Sequence, residues 1–203
     1  MDLVKLTLAT AVLVHTVPAA AWAQTEQSAA FATSYAAEAK ADYADAIAPI
    51  KAVYTGTYEQ NLRLGWLFFL AKNYTAAAAY YQKAVEQRPY AIEPKLGLVK
   101  PLNALGQVEK ILSLYGDILK IDPQNTQANY WTGIIHLNRK AYDKAARYFE
   151  RVVNLYPFDY DSNLSLAWAY LNLGKKAEAR ALYTKTLLIR PGDAAAIAGL
   201  KHL

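Results

Sequence analysis

Apolar residues recur along this chain at the spacing of helices, and the helical pattern itself recurs. Leu64, Phe68 and Ala71 fall on one face of a helix, and Ala77, Tyr81, Ala84 and Val85 on one face of the next. Pro89, Pro123, Pro157 and Pro191 stand 34 residues apart. Aligned on that period, an aromatic column appears (Tyr81, Tyr115, Phe149, Tyr183), preceded by a mostly small one (Ala77, Ile111, Ala145, Ala179). Earlier in the period a second small column reads Gly65, Val99, Gly133, Ala167. It is flanked by Leu64, Leu98, Thr132, Leu166 and by Phe68, Leu102, His136, Tyr170. The pattern predicts a pair of helices in each period. The small residues let the two helices approach, and the aromatic fills the space beside them. Leu105-Gly106 and Leu173-Gly174 separate the halves, as a left-handed glycine after a helix does. The proline column ends the second helix, because the residue before proline avoids the helical region. No strand pattern is seen.

These columns resemble the tetratricopeptide repeat family, a 34-residue helix–turn–helix with a terminal proline. Window 58–91 carries Leu64, Gly65, Phe68, Ala77, Tyr81, Ala84 and Pro89. Window 92–125 diverges most, with Val99 and Ile111 in the small columns, but keeps Leu98, Tyr115 and Pro123. Window 126–159 keeps Gly133, Ala145, Phe149 and Pro157; window 160–193 keeps Leu166, Tyr170, Ala179, Tyr183 and Pro191. A degenerate N-terminal repeat is expected over 24–57, with helices near 25–40 and 43–54, and a capping helix over 194–203. The resemblance implies an all-α fold, a right-handed superhelical solenoid of stacked helix pairs.

Residues 1–23 have a different pattern. Lys5 precedes an apolar stretch from Leu6 to Val17, Pro18 breaks it, and Ala21-Trp22-Ala23 supplies a small-x-small cleavage pattern. The stretch is shorter than the roughly 20 residues that span a bilayer. The expectation is a signal peptide removed after Ala23, with export to the periplasm or another exported location and no stable membrane insertion afterwards. An uncleaved anchor or a first buried helix is the competing reading.

The 203 residues include no Cys, which excludes disulfides, cysteine-ligated metals and cysteine nucleophiles. Apolar residues make up 54%, too many for a disordered chain. Of the three His, only His136 lies within the repeats, in a column otherwise held by Phe68, Leu102 and Tyr170, where a packed ring is expected. Asp42/Asp45 and Asp159/Asp161 fall at helix starts and read as caps rather than an acid–base pair. No phosphate-binding or nucleophile motif is found, so no enzyme activity, cofactor or metal is expected. Lys140, Lys144, Arg147 and Arg151 form a basic stripe at helical spacing, continued by Lys175, Lys176 and Arg180. The stripe reads as a solvated face, with an anionic partner as the alternative. The export signal argues against nucleic acid.

In the resembled family the first helix of each pair lines a concave groove. The corresponding positions here are Leu62, Trp66, Phe69; Leu96, Lys100, Asn103; Tyr130, Ile134, Leu137; and Leu164, Trp168, Leu171. The candidate partner-binding residues are Leu62, Trp66, Phe69, Lys100, Asn103, Tyr130, Ile134, Trp168 and Leu171. A clamp for a C-terminal carboxylate needs several Lys, Arg and Asn on this face, and only Lys100 supplies a charge. The expected role is a scaffold that binds a partner peptide or helix in an aromatic-lined groove. The alternative is a self-associating, homo-oligomeric component of an envelope assembly, such as an exopolysaccharide-export or pilus-assembly machine.

Overall fold

The computed structural model describes residues 19–203, so the signal-like segment up to residue 18 lies outside the described residues. Among the described residues there are eleven α-helices and no strand. The chain divides between Thr55 and Gly56 into two compact units. In the first, α1 (Ala19–Glu38) packs against α2 (Tyr43–Ala52). The first of these helices starts earlier than the expected 25–40, and the second ends two residues short of the expected 54. Asp42 caps α2 by accepting from the Asp45 N–H, the role expected of that carboxylate.

The second unit comprises α3 (Tyr58–Leu70), α4 (Tyr74–Gln87), α5 (Glu93–Ala104), α6 (Val108–Ile121), α7 (Thr126–Asn138), α8 (Tyr142–Leu155), α9 (Tyr160–Asn172), α10 (Lys176–Ile189) and α11 (Ala194–Lys201). Consecutive helices pack on one another throughout, and α3 also touches α5, α7 touches α9 and α9 touches α11. The first helices of the pairs therefore form one layer and the second helices another. The result is an all-α repeat solenoid.

Close approach within the pairs is built on the small column. A Cβ added at Gly65 would lie 2.8 Å from the Tyr81 ring, and one at Gly133 would lie 2.6 Å from the fully buried Phe149 ring. The pair α5/α6, with Val99 and Ile111 in the small columns, is packed less closely than the others.

The turns inside the pairs repeat as well. Gly106 and Gly174 have φ of +68° and +73°, the left-handed conformation expected of them. At the same place in the other pairs stand Lys72 (φ +60°) and Lys140 (φ +58°), where a non-glycine residue costs about 1–2 kcal/mol.

Pairs are tied to one another by a buried polar column. Asn129 donates from Nδ2 to the Pro123 carbonyl at 3.0 Å, and Asn163 to the Pro157 carbonyl at 3.1 Å. Lys95 takes the same place one period earlier and donates from Nζ to the Pro89 and Ala91 carbonyls. The proline column thus ends a helix and presents a free carbonyl, which the next first helix captures six residues later. Burial holds the Lys95 amine below its ordinary value.

Helix starts differ between the layers. Thr57, Asn125, Asp159 and Asp193 cap α3, α7, α9 and α11 through their side chains. Among the second helices Asn73 caps α4, but α6, α8 and α10 start without a side-chain cap.

Candidate functional site

Two cavities open on the first-helix layer of residues 56–203. One is a cleft of about 480 Å³ between α5 and α7, with α6 beneath it. Leu96, Lys100 and Asn103 line it from α5, Trp131, Ile134 and Asn138 from α7, and Ile111 and Tyr115 form its floor. The other, about 440 Å³, lies between α9 and α11 and is lined by Leu164, Trp168, Ala195 and His202, with Leu137 from the end of α7.

The nine sequence candidates divide between these cavities and the core. Lys100, Asn103 and Ile134 line the α5/α7 cleft, and Trp168 lines the second cavity with 46% of its surface exposed. Leu62 and Trp66 are half-buried against the cluster that includes Tyr81, Leu98 and Leu102. The Phe69 ring centre is 5.9 Å from that of Trp66 and 5.9 Å from that of Tyr74. Tyr130 packs on the Ala145/Phe149 cluster, its ring 5.9 Å from Phe149, and burial pushes its hydroxyl above the ordinary value. Leu171 packs on the cluster of Ala167, Ala179 and Tyr183.

On α7 the stripe that faces the cleft is turned by about one residue from the one read in the sequence. Trp131, not Tyr130, reaches it, and its side chain is 46% exposed. The column containing Trp131 reads Arg63, Gly97, Trp131, Ser165. An isolated tryptophan in a column with no apolar habit was the available signal. Such a residue is not required by the repeat, and nothing in the repeat covers it.

The charge around the cleft is positive and partly committed. Lys100 Nζ sits 4.6 Å from the Trp66 ring centre and 5.9 Å from that of Phe69, a cation–π contact across successive first helices. Arg139 pairs with Glu109 at the rim. Asn103 and Asn138 add amides. The arrangement offers an apolar floor, one exposed indole, and polar groups at the edge able to receive a carboxylate or a backbone carbonyl. His136 lies on the α8 side, its ring stacked 5.6 Å from Tyr148. Burial, helped by Lys144 and Arg139, lowers its pKa.

Among the described residues no three His, Cys, Asp or Glu side chains converge as metal ligands would. No described helix is long and apolar enough to cross a membrane. In the basic stripe Lys140, Lys144, Arg147 and Arg151 are all exposed. Arg151 donates to the Asn129 Oδ1 at 3.2 Å, while Asp143 and Arg147, four residues apart, form no ion pair among the described residues.

Similar solved structures include the MamA protein, which is 18% identical with a TM-score of 0.72 over 82% of this chain and 92% of that one. A tetratricopeptide repeat protein from Parabacteroides merdae is 19% identical, with a TM-score of 0.75 over 87% and 71% of the two chains. YrrB, described as a TPR protein with an unusual peptide-binding site, is 16% identical, with a TM-score of 0.71 over 88% and 93%. At these identities the likeness is one of fold. No curated protein matches at the level of sequence. Sequence profiles of the tetratricopeptide repeat match residues 57–92 and 103–160, and a second such profile matches 136–202. With its stacked helix pairs and their recurring columns, the chain belongs to the tetratricopeptide repeat family.

Proposed function

We propose that this protein is a protein–protein interaction module that receives an apolar segment of a partner, peptide or helix, in the cleft between α5 and α7. The observation that carries the reading is the exposure of Trp131 over an apolar floor. A large ring with 46% of its surface in water retains an unmet burial term, and aromatic anchors in pockets dominate interface energies. Lys100 and Asn103 are placed to orient the partner by its carboxylate or carbonyl groups. Membership of a repeat family built for binding, and the peptide-binding site described for YrrB, support the same role. The chain acts by holding a partner rather than by turning over a substrate. Residues 1–23 would direct it out of the cytoplasm, with 24–57 as a degenerate first repeat and 194–203 as the cap.

Trp131→Ala tests the reading. Its loss is expected to weaken capture of a partner from envelope extract by about 2 kcal/mol or more, roughly thirty-fold. The urea midpoint should stay near wild type, because the ring is half in water. A photo-crosslinking residue at position 134 should label the same partner, and one at Ser113, on the opposite layer, should not. Unchanged capture by a folded Trp131→Ala variant refutes the cleft. A crosslinked band at twice the chain mass identifies the partner as a second copy.

A further inference from the structure

We propose that the edge of residues 56–203 formed by the four turns inside the helix pairs is a docking surface for an anionic lipid bilayer. Each second helix packs between two first helices. The turns at 71–73, 105–107, 139–141 and 173–175 therefore fall in a line along one edge, and the turns between pairs along the other. Charge is segregated between these edges. Windows 71–77, 105–111, 139–145 and 173–179 hold seven cations and three anions. Windows 87–93, 121–127, 155–161 and 189–195 hold two cations and five anions. This edge adjoins the α5/α7 cleft, which Val108, Ile111 and Arg139 also line, but Lys72, Leu105, Lys110, Lys140, Lys144 and Leu173 lie outside that cleft.

The cations are available. Lys72, Lys110, Lys140 and Lys144 are exposed and form no ion pair among the described residues. Local structure argues against their being mere filler. Lys72 and Lys140 occupy the left-handed position that Gly106 and Gly174 hold in the other pairs, so lysine stands where glycine is cheaper. Lys110, Lys144 and Lys176 lie in the first turns of α6, α8 and α10, where the helix dipole disfavours positive charge.

Apolar tips decide between kinds of anionic partner. Leu105, Val108 and Leu173 are 38%, 39% and 38% exposed on the same turns. An acidic protein face would satisfy the lysines and leave the leucines without a role. A bilayer offers phosphate at the height of the lysines and an acyl boundary for the tips between them. It is also an extended surface, which several turns along one edge can meet together. The acidic edge would point away from it.

Vesicle co-sedimentation with the full chain tests the assignment. Phosphatidylcholine vesicles are compared with vesicles in which about a third of the lipid is phosphatidylglycerol, at low and high salt. The N-terminal segment is common to all variants, so differences among them report on the edge. Binding to the anionic vesicles is expected to exceed binding to neutral ones and to weaken with salt. Each lysine removed should weaken it by about five-fold, so Lys72→Gly with Lys140→Gly should weaken it by roughly twenty-five-fold. Because glycine suits both backbones, that variant should melt no lower than wild type. Leu105→Ser with Leu173→Ser should reduce what binding remains at high salt, and Trp131→Ala should leave vesicle binding unchanged. Equal binding to both vesicle types, or wild-type binding by the double glycine variant, overturns the proposal. So does competition by poly-aspartate together with indifference to the leucine changes, which would assign the edge to an acidic protein.

Discussion

Three glycines of the solenoid are expected to respond to alanine in three different ways, and the comparison tests how the pairs are held together. Gly133 lies on α7 against the Phe149 ring. An added Cβ would stand 2.6, 2.9 and 2.9 Å from three ring carbons, so the fully buried Phe149 ring would have to shift. Overpacking a tight site costs about 1–3 kcal/mol, offset in part by roughly 1 kcal/mol of helix propensity gained on replacing glycine. Gly133→Ala is therefore expected to destabilise by up to about 2 kcal/mol. Gly116 sits in the interior of α6 with nothing within 4 Å of its would-be Cβ. Gly116→Ala gains the propensity without the clash and should stabilise by about 1 kcal/mol. Gly106 has equal space but a φ of +68°, so Gly106→Ala should destabilise by about 1 kcal/mol through backbone strain. Urea melts followed by circular dichroism rank the three. Phe149→Leu in the Gly133→Ala background should recover part of the loss, a coupling of about 0.5–3 kcal/mol. If Gly133→Ala melts at or above Gly116→Ala, the close approach of α7 and α8 is not what holds that pair.

Other expectations follow from single side chains. Thr132, 2% exposed, stands where other pairs have leucine, and its hydroxyl has no partner among the described residues; Thr132→Val should raise the urea midpoint, by about 1 kcal/mol in stability. Lys95 is 3% exposed and holds two carbonyls. Lys95→Ala leaves those acceptors unpaired and should destabilise by about 1–3 kcal/mol, whereas Lys95→Asn, the residue used at 129 and 163, should lose much less. His136 has a folded pKa below the ordinary 6.5 because burial disfavours its charged form, so the unfolded chain takes up its proton first. Its contribution is complete above pH 6.5 and declines as the pH falls through that value towards the folded one; in His136→Phe, midpoints measured across this range should fall less.

The repeat architecture was legible because it is written several times. A column such as Tyr81, Tyr115, Phe149, Tyr183 is hard to produce by any fold other than stacked identical units. Its physical meaning, a ring against a glycine, appears directly at Gly65 and Gly133. The buried column Asn61, Lys95, Asn129, Asn163 is equally periodic but was not singled out. Polar residues in a helix read as surface until the carbonyls they capture are seen. The lysines at 72 and 140 escaped for a related reason: sequence shows residue type, not φ. The cleft was legible only in part. Spacing fixes which residues share a helical face, and that sufficed for Lys100, Asn103 and Ile134. It does not fix how far a helix is rolled against its neighbours. That roll leaves Tyr130 half-buried against the Phe149 cluster and puts Trp131 in the cleft.

The position of the cleft has a physical origin in the most divergent window. In the pairs α3/α4 and α7/α8, glycine on the first helix lets an aromatic from the second pack against bare backbone. In α5/α6 both partners are branched: Val99 replaces the glycine and Ile111 the alanine. Their volume holds the two helices apart, and Pro101 inside α5 removes one bond of its ladder. A pair that cannot close also seats the next one less firmly, and α6 packs on α7 less closely than α4 packs on α5. Space is left between α5 and α7, where Ile111 and Tyr115 become a floor instead of a seam. The substitutions that weaken the family pattern thus lie beside the apolar cleft between α5 and α7. Trp131, aperiodic and half-exposed, stands at its wall. Divergence confined to one window, with intact repeats on both sides, leaves a rigid frame around an opening that the repeat itself does not fill. Such a frame suits selective binding, since a preformed opening spares the partner much of the ordering that association otherwise requires.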